Sequence, residues 1–188
     1  MRLSLATLTV SILALSAVAC GPGLNAPKLA DGQKIGIYVV HDRNIAADAD
    51  GDKVKMRNQV SDYLEANLTA VLTRYGYEVF AIPAADQFVP GPNKFLLNVK
   101  VQAYNPGNKG ARVAAAFVGG WTGNAMTSQS QAHLSAEYKL TGERGKVAGS
   151  DLSEGSGTGD WQMACQNVNS RIFQGTSKSL QALYGAKK

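Results

Sequence analysis

The sequence predicts an α/β fold, a two-layer sandwich in which a mixed β-sheet carries two helices packed on one face. Three observations predict it. A strand, a helix and a second strand follow one another over residues 34–83; two helical segments each have a single apolar stripe; and the later strands alternate apolar and polar residues. Elements with one apolar side each bury that side most economically as two layers.

The first 19 residues have the features of a cleaved secretory signal peptide. Arg2 precedes an apolar run over residues 3–18, and small residues follow. The run is shorter than a membrane-spanning helix requires, and the residues on either side of it are those of a signal peptide. Residues 17–19, A-V-A, form an A-x-A site for ordinary signal peptidase.

The same junction followed by Cys20 resembles a bacterial lipobox, in which diacylglycerol is attached to the Cys thiol before cleavage. Ala17 stands where a lipobox usually has Leu. We therefore predict a lipid on Cys20 and a flexible tether over residues 20–33. Gly21, where Asp would mark the inner membrane, favours the periplasmic side of the outer membrane. The alternatives are a soluble periplasmic or secreted protein and, in an oxidising compartment, a Cys20–Cys165 disulfide.

Residues 34–188 are predicted to form one domain, because 169 residues remain after cleavage. Cleavage lowers the net charge from +5 to +4, and the cations are scattered, so no basic stripe for nucleic acid is present. No cofactor motif appears. Asp48, Asp50 and Asp52 alternate as in a calcium loop but lack its glycine spacing and terminal Glu, so we predict no metal and a helix cap at Asp52.

The chain begins its domain with a βαβ unit. Residues 34–40 form a β-branched apolar strand, and residues 77–83 form a second strand. Between them a helix over about 53–75 ends at Gly76. Its apolar stripe comprises Val60, Leu64, Leu68, Val71, Leu72 and Tyr75. The two strands should be parallel, with a right-handed crossover.

The second half of the chain predicts further strands and a closing helix. Residues 95–104 and 132–140 alternate, which directs His133 to solvent. An apolar run lies at 111–118. Residues 141–145 form a hairpin loop, 146–152 an edge strand and 153–160 a flexible loop. The helix over 161–184 has an apolar face of Cys165, Val168, Ile172, Leu180 and Leu183.

Residues 111–147 resemble a group of bacterial envelope lipoproteins of unknown function that share a pattern near R-x-x-x-x-F-V-G-x-G-x-G. The match is carried by Arg112, Phe117, Val118, Gly119, Gly123, Thr141 and Gly142. Trp121 stands near a place where that group usually has Gly. The resemblance implies an α/β fold related to the curli secretion lipoprotein and to lipoprotein activators of penicillin-binding proteins. It implies no catalytic residues.

The predicted function is that of a non-enzymatic lipoprotein of the cell envelope, a periplasmic binding or assembly-scaffold module. One alternative is an oligomeric component of a secretion system. Another is a hydrolase of envelope polymers, although no carboxylate pair stands out and G-x-S-x-G and H-E-x-x-H are absent. His41 is the best-placed titratable group, and we expect it in a loop. Trp121, with Gly119, Gly120 and Gly123, is predicted to contact a protein partner or a second copy of the chain.

Overall fold

The computed structural model describes residues 24–42, 51–105, 132–157 and 161–185, without the side chains of 42, 51–57, 103, 105 and 157. Several predictions made above lie outside these residues. They concern the signal peptide, the apolar run at 111–118, Asp48, Asp50 and the side chain of Asp52, and the site residues Cys20, Gly119, Gly120, Trp121 and Gly123. The cap predicted at Asp52 was wrong, because the helix begins at Gly51 and Asp52 lies within its first turn.

The described chain forms a five-stranded mixed sheet with two helices, which confirms the predicted α/β class. Its elements are β1 (Gly36–Asp42), α1 (Gly51–Arg74), β2 (Glu78–Ala81), β3 (Lys94–Asn105), β4 (Ala132–Thr141), β5 (Val147–Gly157) and α2 (Trp161–Gly185). The strand order is β2-β1-β3-β4-β5. β1 is parallel to both of its neighbours, whereas β3, β4 and β5 are antiparallel to one another in turn.

The predicted βαβ unit is present, and the stripe of α1 forms the centre of the core. Val60, Leu64, Leu68 and Leu72 are completely buried. The helix ends in a Schellman motif, because the N–H of Tyr77 donates to the Leu72 carbonyl and that of Gly76 to the Thr73 carbonyl. Gly76 adopts a φ of +93°, a left-handed conformation that glycine takes without steric cost.

The alternation predicted for β3 and β4 is also confirmed. The side chains that β3 and β4 turn toward the helices are buried, among them Leu97, Val99, Leu134, Ala136, Tyr138 and Leu140. His133, Glu137 and Lys139 point the other way and are exposed. The register shifts between Val101 and Ala103, where a bulge inserts one extra residue into β3.

The edge strand β5 is longer than predicted, because it continues through residues 153–157, which the sequence predicted as a flexible loop. The small residues of β5 allow α2 to lie close to the sheet. A Cβ added to Gly155 would come within 2.5 Å of the Ala164 carbonyl oxygen and 2.9 Å of the Val168 nitrogen. Ser153 is buried beside it. The glycine and serine content therefore makes a packing surface rather than a loop.

Residues 24–33 lie on the domain, which differs from the tether predicted over 20–33. The Ala26 N–H donates to the Tyr75 carbonyl at 2.8 Å, and the Gln181 side chain donates to the Asn25 carbonyl at 3.1 Å. Leu24, Ala26 and Leu29 pack against the core. These apolar side chains gain burial that a free tether would forgo. The segment joins the domain at the end where α1 and α2 finish.

Candidate functional site

Cys165 is the cysteine that the structure describes, and it is completely buried in α2. Asn25 contacts Gln181, and Cys165 lies 16 residues earlier in the helix, about 24 Å along its axis. The five residues from Cys20 to Asn25 reach about 18 Å at full extension. Even a straight run along α2 would stop short of Cys165. A Cys20–Cys165 disulfide would therefore require the segment around Asn25 to leave its place on the domain and the core to open around the Cys165 sulfur.

His41 belongs to β1 and is only 8% exposed, so its placement in a loop after the first strand was wrong. The strand continues because β3 runs parallel beside it, and His41 pairs with Val99 in the register. Neighbouring backbone thus extended the strand beyond its apolar run. His133 is exposed on β4, as predicted.

The sheet face opposite the helices is left open by the residues that the structure describes, and it carries an aromatic cluster at the β2 side. The Tyr38 ring stacks on Phe80 with centroids 4.8 Å apart and meets Phe88 at 5.2 Å. Lys94 Nζ lies 6.0 Å from the centre of the Tyr38 ring. Aromatic pairs and a cation over a ring stabilise a partly exposed surface. This cluster was not predicted from the sequence, although the alternation of β1 already directs Tyr38 away from the core.

The β4 and β5 side of the open face is polar and has a shallow cavity of about 530 Å³. Gln102 donates to a Glu137 carboxylate oxygen at 2.8 Å across the bulge in β3. Leu152, 54% exposed, is the large apolar side chain among its lining residues. An apolar anchor between polar groups that make hydrogen bonds is a usual arrangement for a protein contact.

The outer edge of β5 is occupied in part by side chains of the protein itself. The N–H of Leu152 donates to the Asp151 carboxylate at 2.8 Å. The Asn167 amide on α2 donates to the Ser156 carbonyl at 2.7 Å. At the other edge, β2 is only four residues long. Natural proteins use such devices to block edge-to-edge pairing, so the face of this sheet is more available to a partner than its edges.

A basic surface lies at the end of the domain where β1, β2, β3 and β5 begin and both helices finish; we call it the basic end. It contains two cavities of about 550 and 500 Å³. Three cations line each cavity, and Glu143 is the acid among all the lining residues. The cations of the first are Lys94, Arg144 and Lys146, and those of the second are Lys28, Lys34 and Arg74.

The first cavity of the basic end has an aromatic wall. Tyr184 donates its hydroxyl proton to the Asn93 side-chain oxygen at 2.9 Å, and its ring meets the edge of Phe95 at 6.3 Å. Burial raises the pKa of Tyr184, which keeps the donating phenol protonated. Sequence reasoning missed the basic end. The available signal was that Lys34, Lys94 and Lys146 each stand at or near the start of a strand.

Two residues other than glycine have a positive φ in the described part of the chain, Asn93 at 57° and Arg144 at 58°. Both line the first cavity. Asparagine tolerates this conformation, whereas for arginine it costs on the order of 1 kcal/mol relative to glycine. The Arg144 side chain is therefore held at a turn position where glycine would cause less backbone strain.

Within residues 24–42, 51–105, 132–157 and 161–185, no three His, Cys, Asp or Glu side chains converge as metal ligands. None of the helices found there has both the length and the apolar character needed to cross a bilayer.

No family model matches the sequence, and no curated protein matches it. Among solved structures, a PelC dodecamer from Paraburkholderia phytofirmans is similar, with 13% identity and a TM-score of 0.40 over 80% of this chain and 91% of that chain. A neuraminyllactose-binding hemagglutinin homolog from Helicobacter pylori is similar with 11% identity and a TM-score of 0.43, covering 92% of this chain and 98% of that chain. Similarities this low do not transfer a function.

Proposed function

We propose that this protein is a non-enzymatic lipoprotein of the bacterial cell envelope, anchored by a lipid on Cys20 at the periplasmic side of the outer membrane. Its role is that of a binding or assembly-scaffold module. The anchor is supported by the A-V-A-C junction after a short apolar run. The buried position of Cys165 favours lipid on Cys20 over a disulfide between the two cysteines.

The open sheet face is the observation that carries the binding role. The helices cover one face of the sheet. The other face presents the Tyr38–Phe80–Phe88 cluster on its β1 and β2 side and the polar surface around Leu152 on its β4 and β5 side. A face that combines exposed aromatic rings with polar, hydrogen-bonded groups has the composition that protein interfaces favour. We therefore assign this face to a protein partner in the envelope. A second copy of the chain, as in an oligomeric secretion component, is the alternative occupant.

Site-specific photo-crosslinking in intact cells tests this role. A benzophenone side chain would replace Lys100 or Lys139 on the open face and, as matched controls, Ala70 or Lys178 on the exposed sides of α1 and α2. We expect adducts from the sheet positions only. An adduct of twice the chain mass identifies a second copy, and any other mass identifies a different partner. Equal adducts from the helix positions, or none from any position, would overturn the assignment.

Mass spectrometry of the N-terminal peptide from native membranes tests the anchor independently. We expect the N-terminal peptide to have the mass of a peptide that begins with a lipidated Cys20. An unmodified thiol, or a peptide joined to the one that contains Cys165, would show that the chain is not held by lipid.

A further inference from the structure

We propose that the basic end is a second membrane contact, and that its first cavity receives the phosphate headgroup of an anionic phospholipid. The proposal rests on the proposed function in one respect, the lipid on Cys20, which brings this end of the domain to the bilayer. It adds a contact that the domain makes with its own side chains.

The position of the chain entry is the first support. Leu24 packs on the domain at the basic end, four residues after Cys20. Four residues span at most about 14 Å. A lipid on Cys20 therefore keeps this end within roughly 14 Å of the headgroups and lets it approach to within the screening length of about 8 Å at physiological salt.

The distribution of charge is the second support. Six cations and one acid line the two cavities of the basic end, and two further acids, Asp31 and Glu78, are exposed at the same end. The described part of this end therefore has three more cations than acids. On the rest of the described surface six acidic side chains outnumber four cations. A domain polarised in this way is attracted to an anionic surface with its basic end foremost.

The shape and chemistry of the first cavity supply the third support. Arg144 and Lys146 stand at a cavity of about 550 Å³, which is large enough for a headgroup. Arg144 offers a forked pair of donors to a phosphate. Val147 and Leu183 line the same cavity and are 47% and 43% exposed, although Leu183 was predicted to face the core. Exposed apolar side chains beside cations suit the boundary between headgroups and acyl chains.

The backbone at Arg144 gives an independent reason to assign its side chain a role. Its φ of 58° is left-handed, and the next residue is Gly145 with a φ of 71°. An Arg144→Gly substitution removes the strain of an L side chain there. It should leave the fold at least as stable while removing a phosphate donor, so binding and stability should change in opposite directions.

The experiment uses the exported chain with Cys20→Ser, which keeps the A-x-A cleavage site but has no thiol to carry lipid. We would measure its sedimentation with vesicles of phosphatidylcholine alone and with vesicles that contain 30% phosphatidylglycerol, at about 0.1 M salt where exposed charges act over about 10 Å. A third arm adds soluble glycerol phosphate. Binding to the anionic vesicles alone, with little competition from millimolar glycerol phosphate, supports a membrane contact.

Two matched triple variants locate the contact. Lys34→Gln, Arg144→Gln and Lys146→Gln remove three cations from the basic end, and Lys100→Gln, Lys139→Gln and Arg171→Gln remove three elsewhere. Each basic-end cation should contribute about fivefold to partitioning, so the first variant should bind about a hundredfold more weakly. The second should change little. Arg144→Gly alone should bind about fivefold more weakly without losing stability.

Several outcomes would overturn the proposal. They are equal losses in the two triple variants, absence of binding by the Cys20→Ser chain, equal binding to neutral vesicles, or full displacement by soluble glycerol phosphate, which would indicate a small-molecule anion site. None of these results bears on whether Cys20 carries lipid, which the N-terminal peptide mass decides separately.

Discussion

Gly155 sits where β5 passes beneath α2, and a single methyl group there should destabilise the protein. In Gly155→Ala the new Cβ would lie 2.5 Å from the Ala164 carbonyl oxygen, 2.9 Å from the Val168 nitrogen and 2.9 Å from the Val168 Cγ2. Two of these neighbours are helix backbone atoms, which cannot rotate away as a side-chain tip can. The helix must therefore move as a unit, by several tenths of an ångström or more.

The sign of the change in unfolding free energy shows whether steric overpacking or the better strand propensity of alanine dominates in Gly155→Ala. Replacing a glycine by alanine inside a strand should stabilise by about 0.5–1 kcal/mol if there is room. Overpacking of a filled site costs about 1–3 kcal/mol. For Gly155→Ala we expect the cost of overpacking to exceed this gain, with a net loss of about 1–2 kcal/mol in the free energy of unfolding. Gly36→Ala is the matched control, because its nearest neighbour would be Tyr38 at an ordinary 3.6 Å.

Urea unfolding followed by circular dichroism would measure both variants against the parent chain. We expect a lower urea midpoint for Gly155→Ala and an equal or higher midpoint for Gly36→Ala, with similar slopes. A gain in stability for both variants would mean that α2 does not lie close to β5 at Gly155.

Three further predictions concern titration, the partner and metal. Burial raises the pKa of Tyr77 above its ordinary value of 10, and the hydrogen bond to Ser177 partly offsets this rise. As pH increases, the Tyr77 phenol therefore ionises first in the unfolded chain. The stability that this group contributes below pH 10 is lost as pH rises through its pKa in the folded protein. Tyr77→Phe should show a shallower fall in unfolding free energy above pH 10, and equal slopes would contradict this. Trp121→Ala should leave the melting temperature nearly unchanged and weaken association, whereas a loss of ~3–5 kcal/mol would place Trp121 in a core. Excess calcium should not shift the melting temperature, and a rise of many degrees would mean that the Asp48–Asp52 stretch binds metal.

Elements with one side buried against the core could be predicted from the sequence, because their apolar residues repeat with the period of a helix or a strand. The stripe of α1 and the alternation of β4 each record which side of the element faces the core, so both could be predicted without knowing the partner. The residues of β5 beyond 152 could not. Their glycines and serines have low strand propensity, and pairing with β4 together with the close approach of α2 holds them in the sheet.

The surfaces proposed for function were less predictable, because they are assembled from distant parts of the chain. Tyr38 and Phe88 come from a strand and a loop fifty residues apart. Lys34 and Lys146 lie at the same end of the domain only because the topology of the sheet places the starts of β1 and β5 there. Scattered charge in the sequence thus becomes clustered charge once the topology is known.

The blocked outer edge of β5 limits how copies of this protein can assemble. Pairing of β5 of one copy with β2 of the next would produce open-ended polymers, because each added copy presents a fresh edge to the next. Here the Asp151 carboxylate and the Asn167 amide occupy backbone groups that such growth would use. A contact in which two copies cover the same sheet face of each other is two-fold and leaves no free copy of that face. If copies of this chain associate in this way, a closed dimer is expected, with one mass that does not grow further with concentration.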